Sequence, residues 1–139
     1  MKIVVVNYDE LNQLKSCDEI IADICLFYAD ASESVKEELG SMQRGQLEEL
    51  AASKEADVSI VDVSDAIKRA YLSDTLKAME IDLLVTYNLA GFELCTLTDG
   101  LAYNLVDCRQ LHIIEKAGIP GEKYLNKEKS INMFLWDRR

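Results

Sequence analysis

The sequence has few of the residues that build metal sites or nucleic-acid interfaces. Its 139 residues contain one histidine and one proline, and 15 basic side chains stand against 25 acidic ones. Since a formal net charge of -10 repels phosphate backbones, nucleic acid is excluded as a predicted partner. His112 cannot form a zinc site alone, and no cysteine pair beside it has zinc-site spacing, so we predict no metal and no cofactor.

Glycine is also scarce, and the six glycines do not form a nucleotide-binding loop. No G-x-G-x-x-G motif follows the first apolar run, so the usual dinucleotide turn is missing and a tight NAD or FAD site is not expected. The segment GSMQRGQL, which starts at Gly40, keeps the glycine spacing of a P-loop. Gln46 and Leu47 stand where that loop requires lysine and Ser/Thr, so the match is a chance one.

Long hydrophobic runs are absent as well. None approaches the ~20 residues that a membrane span needs, so we expect a soluble protein without a membrane partner. The cysteines, Cys17, Cys25, Cys95 and Cys108, have irregular spacings. No signal segment is recognised, because only four apolar residues follow Lys2 before Asn7. Reduced thiols and a cytoplasmic location are therefore the expectation.

The sequence does contain the alternating apolar runs and amphipathic segments of an α/β protein. Its length and its 49% hydrophobic content predict a single domain over residues 1–139. Six apolar runs predict strands: Lys2–Tyr8, Ala22–Tyr28, Asp57–Val63, Ile81–Tyr87, Leu111–Ile114 and Ile131–Trp136. The second run could equally be the end of a short buried helix.

Two helical regions are predicted from their caps. Ser34 and Glu37 form a capping box that begins a helix, which should break near Gly40, restart, and end near Lys54. Ser64 and Asp65 place a hydroxyl and a carboxylate at the start of a helix that runs to about Glu80. Its buried face should hold the apolar side chains at helical spacing, which are Ile67, Tyr71, Leu72, Leu76 and Met79.

The order strand, helix, strand with short loops predicts a parallel sheet with right-handed crossovers. Asp99-Gly100 lies between two apolar-rich runs, Phe92–Leu97 and Leu101–Val106, which predicts a β-hairpin, although the second run could also be a helical turn. Pro120 and Gly121 mark a loop before the last strand. The predicted fold is therefore a Rossmann-like three-layer α/β sandwich, with a mostly parallel sheet and a C-terminal hairpin or antiparallel addition.

Polar residues follow three of the predicted strands. In an open parallel sheet, ligands bind beyond the carboxyl ends of the strands. These residues should therefore converge on one rim, where hydroxyls, amides and carboxylates could hold a sugar or a ribose, although such residues often only cap helices or close turns. The predicted ligand-binding residues are Asn7, Asp9, Asp62, Ser64, Tyr87, Asn88, Gly91 and Glu93.

Two catalytic sites are alternatives to this binding site, and neither is complete. Cys108 and His112, four apart on a strand, would lie ~13 Å from each other, too far for proton transfer. A receiver-like phosphoacceptor site would use Asp9, Asp62, Thr86 and Lys116, but Asn7-Tyr8 replaces part of the required acidic pair. No catalytic residue is assigned, and a non-catalytic protein is favoured.

The stretch from Asp57 to Glu93, DVSIVDVSDAIKRAYLSDTLKAMEIDLLVTYNLAGFE, resembles the N-terminal Rossmann-like half of GT-B glycosyltransferases, especially the spore-maturation type. The resemblance lies in a strand ending in an acidic residue, a helix, and a strand closing on Thr-Tyr-Asn. It implies a Rossmann-like βαβ unit on the acceptor side of such an enzyme. Because those enzymes bind the donor mainly through a second domain, it does not imply independent glycosyl transfer.

Three functions follow from the sequence, in order of preference. The first is a non-catalytic or regulatory cytoplasmic domain that binds a small polar ligand, sugar-like or nucleotide-like, at the rim. The second is an interaction subunit that forms a homodimer or binds a partner protein, with Phe92, Tyr103, Phe134 and Trp136 as its apolar surface. The third is an isolated glycosyltransferase-like half-domain or a receiver-like domain.

Overall fold

A computed structural model describes seven segments of the chain: residues 1–8, 16–31, 33–63, 65–87, 91–104, 110–116 and 131–137. They contain five strands, β1 (Lys2–Asn7), β2 (Asp57–Asp62), β3 (Leu83–Tyr87), β4 (Gln110–Lys116) and β5 (Ile131–Asp137). They also contain six helices, α1 (Cys17–Ala29), α2 (Glu33–Glu38), α3 (Ser41–Ser53), α4 (Ala66–Ala70), α5 (Leu72–Lys77) and α6 (Gly91–Asn104). The protein is therefore α/β, as predicted.

The strands form one mixed sheet in the order β2-β1-β3-β5-β4. β1 pairs in parallel with β2 on one side and with β3 on the other. β5 runs antiparallel to both β3 and β4, so β4 points in the same direction as the first three strands. Four strands thus share one direction, which confirms the prediction of a mostly parallel sheet with a C-terminal antiparallel addition.

Each face of the sheet carries its own apolar cluster. On the first face, Ile3, Val5 and Leu83 pack with buried residues of α1 and α3. On the second face, Val4 and Val6 pack with buried residues of α5 and α6. The central strands are covered on both sides, which explains why their sequences are continuously apolar instead of alternating.

The placement of the helices follows from the handedness of the crossovers. The connection from β1 to β2 runs towards one edge of the sheet and packs on the first face. The connection from β2 to β3 runs in the opposite direction, over β1, and packs on the second face. Right-handed crossovers in opposite directions require opposite faces of the sheet. After β1 the chain goes to the first face, where α1 packs, and after β3 it goes to the second face, where α6 packs.

The helical break predicted near Gly40 is confirmed. α2 ends at Glu38 and α3 begins at Ser41, and the Gly40 N–H donates a hydrogen bond to Gln43 Oε1 at 3.1 Å. The predicted cap at Ser34 is wrong, because α2 already includes Glu33 and Ser34 lies inside the helix. The restart is therefore stabilised by a glutamine side chain that reaches back to the start of α3.

The strand predicted for Ala22–Tyr28 is wrong, and its helical alternative is correct. These residues belong to α1, whose Ser16 Oγ accepts a hydrogen bond from the Glu19 N–H at 3.2 Å. The buried residues recur at helical spacing from Ile20 to Tyr28. The predicted window began at Ala22, so it omitted both the cap and the first buried residues of this helical stripe.

The predicted hairpin around Asp99-Gly100 is also wrong, because these residues lie inside α6. Leu97 and Leu101 are buried against the second face of the sheet, and Leu94 packs against the same cluster. Their spacing of three and four residues is helical. Burial of this stripe outweighs the turn preference of Asp-Gly, since an interior glycine costs a helix only about 1 kcal/mol.

The helix predicted from Asp65 to about Glu80 is split at Tyr71 into α4 and α5. The Asp65 carboxylate caps α4 by accepting a hydrogen bond from the Lys68 N–H at 2.7 Å, as predicted. Leu72 and Leu76 are buried as expected. Ile67 and Tyr71 are 73% and 62% exposed, so their predicted burial is wrong.

The predicted strands at Leu111–Ile114 and Ile131–Trp136 are confirmed as β4 and β5. Phe134 is fully buried on the second face, so it cannot contribute to an interaction surface as predicted. The predicted loop at Pro120-Gly121 lies outside the described residues. Within the described segments, no helix has both the length and the apolar character needed to cross a bilayer.

Thr86 and Asn132 are two fully buried polar residues that pair across β3 and β5. The strand alternation places both on the second face, with Leu84 and Phe134. Within the described part of the chain, the Thr86 hydroxyl has no hydrogen-bond partner. A buried hydroxyl without a partner costs free energy, because it has lost its hydrogen bonds to water.

We therefore expect Thr86→Val to raise the free energy of unfolding by about 1 kcal/mol, since valine keeps the shape and removes the hydroxyl. Urea denaturation measures this change. Thr98→Val is the matched control, because the Thr98 hydroxyl donates to the Leu94 carbonyl at 2.8 Å and its loss should not stabilise the protein. A destabilised Thr86→Val variant would contradict the prediction.

Candidate functional site

Three of the predicted site residues lie in one row at the carboxyl ends of adjacent strands. Asn7 pairs with Asp62 across β1 and β2, and Tyr87 follows the last registered pair between β1 and β3, Val6 and Thr86. The strand alternation puts all three side chains on the first face. The row spans two strand spacings, about 10 Å. We call Asp62, Asn7 and Tyr87 the rim.

The Tyr87 end of the rim contacts helix α1. The Tyr87 hydroxyl donates a hydrogen bond to Asp23 Oδ2 at 2.9 Å. Burial of the ring raises the pKa of Tyr87 far above its usual range, and the neighbouring Asp23 carboxylate raises it further. Tyr87 is therefore a neutral hydrogen-bond donor that holds a carboxylate beside the rim at physiological pH.

The Asp62 end of the rim is more exposed. Asn7 Nδ2 donates to Asp62 Oδ1 at 3.5 Å, and Lys68 Nζ lies 3.8 Å from Asp62 Oδ2. The same lysine lies 3.8 Å from Asp65 Oδ2, so its charge is shared between two carboxylates. Lysine at this distance, in a solvated position, interacts only weakly with either acid.

Arg69 joins the loops that follow β1 and β2. Its Nε donates to the Val63 carbonyl at 2.8 Å, its Nη2 donates to the Tyr8 carbonyl at 2.9 Å, and its guanidinium lies over the Tyr8 ring. Two of its donors are therefore bound to backbone oxygens of this chain. The arginine positions the strand ends, and these donors are not available to an anionic ligand.

Two further polar residues near the strand ends, Tyr8 and Asp65, do not join the rim. Tyr8 packs against the second face, where Arg69 covers its ring, and Asp65 is occupied as the cap of α4. Asp9, Ser64 and Asn88 lie outside the described residues. Gly91 and Glu93 lie in the first turn of α6, and the structure does not describe their side chains.

The receiver-like arrangement is not assembled. Thr86 is fully buried on the second face, whereas Asp62 lies on the first. Lys116 ends β4 at the opposite edge of the sheet from β2, four strand spacings or ~19 Å away. These residues cannot act on one phosphoryl group. His112 lies in β4 as predicted, and Cys108 lies outside the described residues.

Sequence reasoning missed the contributions of Asp23, Lys68 and Arg69. A strand prediction for Ala22–Tyr28 does not place Asp23 near Tyr87. The helical spacing of Ile20, Ile21 and Ile24 is the sequence signal that could have placed Asp23 on a helix. Lys68 and Arg69 stand next to the predicted cap at Asp65, where the first turn of a helix approaches the strand ends. No sequence signal indicates which of the two binds the backbone.

The strand-end rim is distinct from the cavity at the other end of the sheet. An open depression of about 180 Å³ lies there between α3 and the residues that precede β1 and β3, and its walls include Met1, Leu50 and Asp82. Among the described residues, no group of three or more histidine, cysteine or acidic side chains is arranged to hold a metal ion. The rim offers the Asn7 amide and the carboxylates of Asp62 and Asp23 for hydrogen bonding, while the Tyr87 hydroxyl already donates to Asp23.

The role of Arg69 can be tested with Arg69→Lys. This change keeps the charge but removes the forked donors, so the free energy of unfolding should fall by about 1 kcal/mol. Lys68→Gln is the matched control, since its ion pairs are exposed and their loss should cost less than about 0.5 kcal/mol. Equal effects of the two substitutions in urea denaturation would rule out the bridging role of Arg69.

The environment of Tyr87 predicts a loss of stability at alkaline pH. Because its pKa is raised in the folded state, the hydroxyl ionises first in the unfolded chain, and stability falls as pH rises above about 10, by up to about 1.4 kcal/mol per pH unit. Tyr87→Phe should lose less stability than the wild type over the same range. Tyr71→Phe removes an exposed hydroxyl and should behave like the wild type, as urea titrations between pH 8 and pH 11 would show.

No family model, no curated protein and no solved structure matches this chain. The resemblance of residues 57–93 to GT-B glycosyltransferases therefore stays a prediction.

Proposed function

We propose that this chain is a non-catalytic or regulatory cytoplasmic domain with a Rossmann-like three-layer fold, and that its rim binds a small polar ligand of the sugar or nucleoside class. The observation that carries the proposal is the row of Asp62, Asn7 and Tyr87 on one face of three adjacent strands. Connections leave β1 and β3 on opposite faces, and such a switch point is where α/β sheets open a crevice for ligands.

The charges around the rim favour hydroxyl groups over phosphates. Asp62 and Asp23 supply carboxylate oxygens, which accept hydrogen bonds from hydroxyls and repel phosphate oxygens. Arg69 uses two donors on backbone carbonyls, and Lys68 is shared between two acids. A sugar, or the ribose of a nucleoside, is therefore a better fit than a highly phosphorylated nucleotide.

The mixed donor and acceptor character of the rim supports the same ligand class. Asn7 can donate through its amide nitrogen and accept through its oxygen, while Asp62 only accepts. Vicinal hydroxyls of a sugar each donate one hydrogen bond and accept others, so they match a carboxylate beside an amide. Binding needs no catalytic group, which agrees with the absence of a complete catalytic motif in the sequence.

A native mass spectrum of gently purified protein is the first test of the proposal. We expect added mass corresponding to a small metabolite, and we expect it to be absent from the double variant Asn7→Ala/Asp62→Ala because both rim groups are lost. Asp57→Ala is the matched control, since Asp57 is also an exposed carboxylate on β2 but lies at its other end.

Thermal shifts with monosaccharides and nucleosides provide the second readout. Ligand binding to the folded state raises the melting temperature, so the wild type and Asp57→Ala should respond and the double variant should not. Circular dichroism confirms that the double variant is folded. A wild type that carries no ligand and responds to none of these compounds, or a double variant that still responds, contradicts the proposal.

A further inference from the structure

The first turn of α3 lacks the side-chain cap that α1 and α4 have. In those two helices the side chains of Ser16 and Asp65 accept a hydrogen bond from a backbone N–H of the first turn. Gly40 occupies the same position before α3 and has no side chain that could accept one. The N–H of Gln43, the third residue of α3, is therefore a donor that the helix itself leaves without an acceptor.

Open space lies beside Gly40, where the side chain of a cap would be. Apart from its chain neighbours, a Cβ atom at this position would have only Gln43 Oε1 within 4 Å, at 3.8 Å. Gly40 has φ -64° and ψ 156°, an extended conformation that other residues adopt readily. Gly40 and Ser41 are both exposed, so a ligand in solvent can approach the N–H groups of the first turn.

The Gln43 side chain places an unpaired donor at this N-terminus. Gln43 is 3% exposed, and its Oε1 accepts a hydrogen bond from the Gly40 N–H at 3.1 Å. This bond fixes the amide group at the start of α3 and identifies its oxygen, so Nε2 is held there as well. Among the residues that the structure describes, Nε2 has no hydrogen-bond partner. A buried donor without an acceptor costs free energy, which a bound oxygen atom would recover.

Arg44 supplies a positive charge beside the same N-terminus. Its N–H donates to the Gly40 carbonyl at 3.0 Å, and residues four apart lie on one face of a helix. Helical side chains lean towards the N-terminus, so the partly exposed Arg44 side chain is directed towards the first turn. Within the described segments its guanidinium group has no hydrogen bond or ion pair. Glu48, one turn further along, instead accepts a hydrogen bond from the Tyr28 hydroxyl at 3.3 Å.

These groups differ from those of the rim in the ligand they favour. At the rim, Arg69 and Lys68 are bound to groups of this chain, so hydroxyl groups fit better than phosphates. At the start of α3, unpaired N–H donors meet an arginine that is not bound to another side chain. Arginine and a helix N-terminus are both suited to bind phosphate oxygens.

We propose that the N-terminus of α3 binds the phosphate group of a small phosphorylated molecule. Phosphate oxygens accept hydrogen bonds from the N–H groups of Ser41, Met42 and Gln43, and one oxygen takes the place of the missing cap. Arg44 pairs with the phosphate through its forked donors, and Gln43 Nε2 donates to an adjacent oxygen. The site is not a P-loop, because Gly45 lies inside α3 and not in a loop before it.

A titration with inorganic phosphate, followed in proton–nitrogen correlation spectra, tests the proposal. The N–H signals of Ser41, Met42 and Gln43 should shift saturably, because these groups donate to the ligand. Since the net charge of -10 opposes anion binding, we expect a dissociation constant in the millimolar range. The Glu19 N–H already donates to Ser16, so its signal should show no saturable shift and is the matched control. Sodium chloride at equal ionic strength separates binding from screening.

Gly40→Asp supplies the missing cap from the protein itself. Its carboxylate should accept from the Gln43 N–H, raise the melting temperature, and weaken phosphate binding by roughly tenfold or more. Ala52→Asp is the matched control for charge, because Ala52 is an exposed residue near the other end of α3, about 18 Å away. It changes the net charge equally and should leave phosphate affinity within about twofold of the wild type.

Two further variants separate the side chains. Arg44→Gln removes the positive charge and should weaken binding roughly tenfold. Gln43→Glu keeps an oxygen for the Gly40 N–H but replaces Nε2 with an anionic oxygen, so the saturable shifts should disappear. Circular dichroism shows whether each variant is folded, and if Gln43→Glu is not, Gly40→Asp decides.

Three results overturn the proposal. The first is a wild type without saturable shifts at Ser41, Met42 and Gln43. The second is a Gly40→Asp variant that binds phosphate as tightly as the wild type does. The third is a short phosphoserine peptide that binds at this N-terminus while inorganic phosphate does not, because the ligand would then be a phosphorylated protein segment.

Discussion

Parallel pairing of β1 with strands on both of its sides is the constraint on which this structure depends. β1 is buried on both faces, so each face needs its own layer of helices. The chain can supply both layers with right-handed crossovers only if it moves first to one side of β1 and then to the other. The same reversal separates the loops after β1 and β3, and the rim lies where they separate.

The parts of the fold that could be predicted from the sequence are those in which local pattern and final environment agree. The continuous apolar runs of β1 and β3 suit strands that are buried on both faces, and the sequence predicts both strands correctly. In α1 and α6 the short sequence patterns, an apolar run and an Asp-Gly pair, favour a strand and a hairpin where the structure has helices. A run such as ADICLFY suits a strand or a buried helix equally, and only the wider spacing of Ile20, Ile24 and Phe27 distinguishes them.

Part of the candidate site can also be predicted from the sequence, because that part depends on the order and direction of the strands. Asn7, Asp62 and Tyr87 end strands whose parallel neighbours could be inferred from βαβ order, so their meeting at one end of the sheet follows from topology. The supporting residues come from helices that approach this end at angles the sequence does not encode locally. Asp23 reaches Tyr87 from α1, and Arg69 reaches two backbone carbonyls from α4. Such contacts depend on tertiary packing and carry no motif.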